Sequence, residues 1–600
     1  MLRKPTSGLL HLRNWLRRCY QRMYLTENLY PQGTLQETSC AVTNDCFNEI
    51  PKNEMIGTLF FPFLVALLFT VVLTPPLMKA ASKVGLLDVP NDERGERTVH
   101  KVATPRVGGL AIIASIVFTI ILWLPINQEI VGLLLGVGVI LLFGVWDDRV
   151  NLDFKIKFLG QFLAAYCVAG PGGVLVQHMP FFDGFTVPYY LALPLTVLIL
   201  VAITNAINLS DGLDGLSGGK TLLIFGCLAV LGFRCGDIQF TLISVIFMGA
   251  ILGFLRFNTY PARVFLGDTG SQVLGLNAAA LAIILTQQSN PALSPVLPLL
   301  LFVLPIFDTV SVIVQRLYLG RSPFSPDKNH FHHKLLVLGF NHHEAVMVVY
   351  LLQSVLVLGV YFLRYETDGL LLALFFLVCF CLSGVLYLTL QRGWRVTEAM
   401  DRPSFRWGRA VWLVRLSQGI STITVPLLLV VAVLLPYKIS SDFMVVALVV
   451  LVATLMVMGF KPPFQSTVER VCVYIASAFA VYFYGNSGYQ EEDFKWLLNS
   501  AFFILVLAVL VGARFSNSNR FSITTLDYLV VFLCLVVPIV SIFTEHSAPL
   551  AEISAKLVVL MYASEVVMSA GTFQFRGLVV CSACALAVVC SRWFLQSYFF

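Results

Sequence analysis

Charge is what this sequence has least of. Of 600 residues only 12% are Asp, Glu, Lys or Arg, against 58% hydrophobic, and mean hydropathy is +0.82. Soluble domains carry about 25% charged residues, so a string of soluble domains is excluded and a polytopic membrane protein is indicated. The 13 cysteines show no metal-finger spacing. Cys581 and Cys584 form a C-x-x-C inside an apolar run and read as packed or lipid-facing small residues. Cys40 and Cys46 could pair if exported, but nothing requires it. Residues 1–54 are basic at first, with no spanning run and no cleavable signal pattern. Met55 stands just before the first apolar run and is a plausible alternative start. The formal net charge of +6 is small, and no nucleic-acid partner is expected.

Long apolar runs are what the chain has most of. Runs of about 17–25 residues suit membrane helices. They fall near 56–78, 108–125, 130–146, 157–176, 188–206, 219–233, 238–256, 270–287, 295–316, 344–363, 369–390, 416–436, 442–460, 470–485, 495–512, 525–544, 552–570 and 577–596. The expected fold class is all-α, a polytopic helical bundle of about eighteen spans. Lys and Arg collect in alternate loops, 79–107, 147–156, 207–218, 257–269, 317–343, 391–415, 461–469, 513–524 and 571–576. Those loops are therefore assigned to the cytoplasm. The basic leader conflicts with this parity. The chain divides into a polar leader (1–55), a motif-bearing membrane core of about eleven helices (56–390), a basic linker (391–415) and about seven further helices (416–600). Glu565 is the best candidate for a buried polar contact in that last region.

Five polar clusters fall in the loops assigned to one face. The first is His100-Lys-Val-Ala-Thr-Pro-Arg-Val-Gly-Gly109, with Lys101 and Arg106 as cations for phosphate oxygens, Thr104 in a stiff polar turn and two glycines that allow close backbone approach. A basic pre-membrane turn is also an ordinary topology signal. The second is Trp146-Asp-Asp-Arg149, followed by Asp153, Lys155 and Lys157. Adjacent carboxylates repel, and a helix C-terminus is a poor place for acids, so Asp147 and Asp148 suggest a cation or a proton transfer. The third is Asn205-Ala-Ile-Asn-Leu-Ser-Asp-Gly-Leu-Asp-Gly-Leu-Ser-Gly-Gly219, at the junction of two apolar runs. Asn208, Asp211 and Asp214 would share one face of a helical turn; a polar cap with a Gly turn is the bland alternative. The fourth, Phe265-Leu-Gly-Asp-Thr-Gly-Ser271, offers Asp268 in a turn suited to Mg²⁺. The fifth, Ser325-Pro-Asp-Lys-Asn-His-Phe-His-His-Lys334, offers His330, His332 and His333 as donors to a phosphate-rich ligand. Carboxylates for a divalent cation, cations for phosphate and Gly turns together describe phosphoryl transfer at a membrane surface. A transporter or lipid flippase is the alternative class. It would carry its charges at mid-span in related halves, whereas these lie at span ends.

This set of motifs, in this order and spacing over about 56–390, resembles the polyprenyl-phosphate N-acetylhexosamine-1-phosphate transferases. The H-x-H-H form of His330, His332 and His333 is similar to the WecA- and TagO-like branch rather than the muramoyl-pentapeptide branch. The resemblance implies transfer of a sugar-1-phosphate from a UDP-N-acetylhexosamine to polyprenyl phosphate, with release of UMP. It implies Mg²⁺, with Mn²⁺ as a substitute, held by Asp268, Asp211 and Asp148. Asp147, Asp148 and Asp268 would be catalytic, with Asp147 as base on the prenyl phosphate. Asn205, Asn208, Asp211 and Asp214 would shape the nucleotide and metal pocket. His330, His332 and His333, with Lys101, Thr104, Arg106 and Lys155, would hold the phosphates. The implied setting is the plasma membrane, multi-pass, with a cytoplasmic active site serving cell-envelope polysaccharide synthesis; membrane lipid and a second copy of the chain are the implied partners. Residues beyond about Arg409 carry no motif, so removing them is expected to leave transfer intact.

Overall fold

A computed structural model describes residues 52–88, 103–150, 152–182, 184–322, 329–396, 411–436, 439, 441–460, 465–486, 492–515 and 548–599. The expected span at 525–544, residues 1–51 of the leader and Lys101 lie outside these residues. Every other expected span falls on a helix. Among the described residues, 11 helices are long and apolar enough to cross a membrane, and the protein is a multi-pass membrane protein.

In chain order the core begins with α1 (Lys52–Val84), a two-residue antiparallel ladder of β1 (Leu87–Asp88) with β2 (Thr104–Pro105), α2 (Gly108–Trp123), α3 (Gln128–Val150) and α4 (Phe154–Ala169). It continues with α5 (Tyr189–Leu209), α6 (Leu216–Arg234), α7 (Ile238–Asn258) and α8 (Gly267–Ile284), which runs into a π turn at Leu285–Ser289. Then come α9 (Leu297–Leu301), α10 (Val303–Tyr318), α11 (Phe331–Val337), α12 (His342–Phe362) and α13 (Asp368–Gln391). Two expectations are corrected here. The span read at 157–176 stops at Ala169, where Gly170-Pro171-Gly172-Gly173 cannot continue a helix. The span read at 295–316 breaks at Phe302, because Pro305 has no N–H to return to Leu301.

The hub is α8. It is the least hydropathic of the spanning helices in the core, yet it is buried from Thr269 to Ile284, because small residues replace large apolar ones. A Cβ on Gly270 would lie 2.8 Å from the Gly109 Cα, and one on Gly275 would lie 2.9 Å from the Thr204 Cα. Without a hydrophobic drive between helices in lipid, such close backbone packing supplies the association energy. The same device seats α1 on α7, with Gly249 and Gly253 facing the Phe63 and Leu67 carbonyls.

The C-terminal helices are α14 (Val411–Leu434), α15 (Ser441–Phe460), α16 (Gln465–Asn486), α17 (Glu492–Phe515), α18 (Ala548–Ala570) and α19 (Thr572–Phe599). They join the core through aromatic contacts: Phe443 meets Phe61 edge-on at 4.8 Å, and Tyr482 lies 6.1 Å from Phe60. Cys581 and Cys584 are free thiols on α19.

Candidate active site

Four helix ends meet at one end of the core, and contacts join all five polar clusters there. The Gly108 and Gly109 amides donate to the Phe265 and Leu266 carbonyls at 3.0 and 2.9 Å. Asp148 reaches Asp268 and Thr269, Asn208 reaches Asp268, and Gly212 packs on the His332 ring.

Asp148 explains how two acids tolerate a helix C-terminus. Its Oδ1 accepts the Asp268 N–H at 2.9 Å, and its Oδ2 accepts the Thr269 N–H at 3.2 Å and the Thr269 hydroxyl at 2.7 Å. The carboxylate of α3 thus caps the N-terminus of α8, where unpaired N–H groups and the positive dipole end favour an anion. Gly267 must be glycine. Its φ is +73°, and a Cβ there would sit 2.8 Å from Asp148 Oδ2. The cap gives Asp148 a structural role beside its reading as a metal ligand.

Asp147 and Asp268 converge instead on a lysine. The Lys157 Nζ lies 2.7 Å from Asp147 Oδ2 and 3.0 Å from Asp268 Oδ2. Asp147 is buried, with its Oδ1 accepting the Leu152 N–H at 2.8 Å, whereas Asp268 is 37% exposed. Asn208 fixes Asp268 by donating to its Oδ1 at 3.2 Å and to Ser271 Oγ at 2.8 Å. Lys155, the lysine expected at the phosphates, is exposed on another side of α4 and lies 6.0 Å from the Phe154 ring. Two positions along a helix turn the side chain by about 200°, so Lys157 takes the place read for Lys155.

The expected shared face of Asn208, Asp211 and Asp214 does not form, since α5 ends at Leu209. Asp211 and Asp214 lie in the turn that follows. Asp214 is buried and accepts the Ala262 N–H at 2.9 Å. Asp211 is half-buried; burial lifts its carboxyl to about 7, Lys220 opposes that rise, and Asp268, Asp214 and Asp148 add to it. Among the described residues Asn205 has no side-chain hydrogen-bond partner, and it lies a turn back along α5. Thr104 is buried in the two-residue ladder. Arg106, the cation read as a phosphate holder, donates to Asp88 Oδ1 on the facing strand β1 at 2.8 Å.

The histidines meet two residues that the motif reading did not single out. Asp308 on α10 lies 3.2 Å from His330 Nδ1 and accepts the Phe331 N–H at 2.7 Å. A carboxylate at Nδ1 sets the imidazole tautomer and its orientation. Lys220 is buried, donates to Ser210 Oγ at 2.5 Å, and faces Asp308 and Asp211 electrostatically. His332 is buried against Gly212, whose Cβ would meet the His332 Nε2 at 2.1 Å. Burial first, then His333, pushes the His332 imidazole down to about 3. His333 is half-buried with its ring 4.3 Å from that of His332. The signal for Asp308 and Lys220 was present as charges inside apolar runs, but neither stands in a polar cluster.

Among the described residues no group of three or more His, Cys, Asp or Glu side chains converges as a metal site. Mg²⁺ nonetheless takes as few as one or two carboxylates, with phosphate and water completing its shell. Asp268, partly exposed, and Asp147, both drawn to one ammonium, fit that requirement.

Residues 130–286 match the family model for glycosyl transferase family 4. The chain is 34% identical over 336 residues to a Bacillus subtilis (strain 168) protein described as a probable undecaprenyl-phosphate N-acetylglucosaminyl 1-phosphate transferase, covering 54% of this chain and 90% of that protein. It is 34% identical over 327 residues to a decaprenyl-phosphate N-acetylglucosaminephosphotransferase of Mycobacterium tuberculosis (strain CDC 1551 / Oshkosh), covering 49% and 80%. It is 30% identical over 371 residues to an undecaprenyl-phosphate alpha-N-acetylglucosaminyl 1-phosphate transferase of Yersinia pestis, covering 59% and 97%.

Proposed function

Because this chain belongs to glycosyl transferase family 4, we propose that it transfers N-acetylglucosamine-1-phosphate from UDP-N-acetylglucosamine to a polyprenyl phosphate and releases UMP. The observation that carries this reading is the Asp147–Lys157–Asp268 constellation at the mouth of a membrane bundle. The site face is cytoplasmic in this reading, supported by the Lys and Arg of the loops on that side, and the membrane is the plasma membrane.

The chemistry is an in-line displacement. An oxygen of the lipid phosphate attacks the β-phosphorus of the nucleotide sugar, the bond from that phosphorus to the bridging oxygen breaks, and the bridging oxygen leaves with UMP. Mg²⁺, held by Asp268 and Asp147, would offset the repulsion between the two anions. Lys157 provides a cation between the carboxylates, within reach of phosphate oxygens. Asn208 holds Asp268 in place, and Asp148 keeps the α8 N-terminus aimed at the site. His330, oriented by Asp308, presents its Nε2 side for a phosphate oxygen. A prenyl phosphate has its second pKa near 6, as phosphate monoesters do, so Asp147 acts more by charge than as an obligatory base.

The test uses purified protein in detergent with undecaprenyl phosphate, a panel of UDP-N-acetylhexosamines and Mg²⁺, reading UMP. Release is expected from the UDP-N-acetylglucosamine arm, and only with lipid phosphate present. UMP exchange into UDP-sugar without lipid would instead indicate a phospho-enzyme.

A further inference from the structure

The helices after residue 410 meet the core at a polar cluster as well as through apolar contacts. On the core side is Arg256, in the last turn of α7. Its Nη1 donates to the Tyr474 hydroxyl at 3.1 Å and lies 3.6 Å from Glu565 Oε1. Its guanidinium carbon stands 5.5 Å from the Tyr474 ring centroid. The second Glu565 oxygen is 2.5 Å from Arg470 Nη1, and the Tyr474 hydroxyl donates to Glu565. One carboxylate therefore serves two guanidiniums and a phenol, each ionic partner about a third exposed. Arg470 lies near the start of α16 and Glu565 near the end of α18, so the cluster joins helix ends rather than mid-spans.

Two residues beyond Arg256, Asn258 clamps the site. Its Oδ1 accepts the Gly215 N–H at 2.9 Å, and its Nδ2 donates to the Val264 carbonyl at 2.9 Å. Asp214, next to Gly215, accepts from Ala262. The end of α7 thus fixes two turns together, one carrying Asp211 and the other leading into Asp268.

We propose that the C-terminal helices brace the transferase site: Glu565, itself held by Arg470, and Tyr474 hold Arg256, and Arg256 holds the Asn258 clamp on the Asp214–Gly215 turn. These three are positioning residues. The proposal rests on the transferase reading and revises the expectation that removing the region after Arg409 leaves transfer intact. An unbraced α7 end loosens the turn given to the nucleotide sugar, so the effect falls on the KM for UDP-N-acetylglucosamine and leaves the KM for lipid phosphate in place.

The full chain in nanodiscs is assayed as wild type, Glu565→Gln, Arg256→Gln, the double variant, and Tyr474→Phe, which keeps the ring and removes only the hydroxyl. Coupling through a packed element is worth about three- to tenfold. The KM for the nucleotide sugar is expected to rise about that much in Glu565→Gln and about twofold in Tyr474→Phe, with the double variant no worse than the weaker single one. Wild-type KM in all three single variants overturns the proposal, as does an equal loss in both substrates' kinetics together with a lower Tm. If Glu565→Gln does not fold, Tyr474→Phe decides alone. If wild type releases no UMP, it is the transferase reading that fails. The brace is then read from the rise in Tm on adding UDP, wild type against Tyr474→Phe; a smaller rise in the variant supports it and equal rises overturn it.

Discussion

The core and the C-terminal helices use the same apolar alphabet and differ in where they hide charge. In the core, Asp147, Asp148, Asp214, Lys220, Asp308, His330 and His332 are buried near one end of the bundle. Most of them are tied to a backbone amide, a hydroxyl or an opposite charge. Among the described residues of the C-terminal region, the one charged group this buried is Glu469, and the ion cluster at Glu565 points toward the core. Buried charge in lipid is costly, so its density marks where the chain does chemistry. Its near-absence marks helices whose work is packing and support.

That contrast is broken most sharply at Asp268. Asp268→Asn is expected to lower the rate of UMP release about 10³-fold, the scale of losing a metal-organising carboxylate, with the protein still extracting as a folded species. No variant of the C-terminal region should approach that loss. Next is Asp308→Asn, expected to lower kcat/KM about tenfold, because the imidazole loses the partner that orders it; Asp308→Glu should recover part. If Asp308→Asn behaves as wild type, His330 does not act through its Nδ1 partner. A smaller, structural effect belongs to Asp148→Asn. Capping of α8 weakens, and thermal unfolding should report a loss of about 1–3 kcal/mol. An unchanged Tm with lost Mg²⁺ dependence would assign Asp148 to the metal rather than to the cap.

The smallest effect comes from His332. Its folded pKa, about 3, lies below the ordinary 6.5. Between those values the unfolded chain binds a proton that the folded one does not, so stability falls as pH drops through that window and is unaffected above it. The expected loss is about 1 kcal/mol by pH 5.5, read by thermal unfolding. His332→Gln should remove that slope without changing stability at pH 8 in the same proportion.

Most of this fold was legible as hydropathy, since each apolar run among the described residues falls on helix. What the runs hid were the breaks, such as Phe302 ahead of Pro305, where a proline ends a pattern that stays apolar throughout. The site was legible as motif residues but not as pairings. Asp147 and Asp148 are neighbours in sequence, yet one faces Lys157 and the other an α-helix N-terminus. Lys155 and Lys157 look equivalent in a basic stretch, and only the helix phase of α4 chooses between them. Asp308 stood out only as a charge in an apolar run, and its pairing was hidden because its partner is 22 residues away on another element.

That choice of lysine is the most direct test of the account. UMP release would be measured for Lys157→Met and Lys155→Met beside wild type, under saturating lipid phosphate and Mg²⁺. The account predicts a loss of about 10²-fold for Lys157→Met, the cost of removing one fixed charge from a phosphoryl-transfer site, and a rate close to wild type for Lys155→Met. A folded Lys157→Met protein that keeps its rate while Lys155→Met loses it would contradict the site as described.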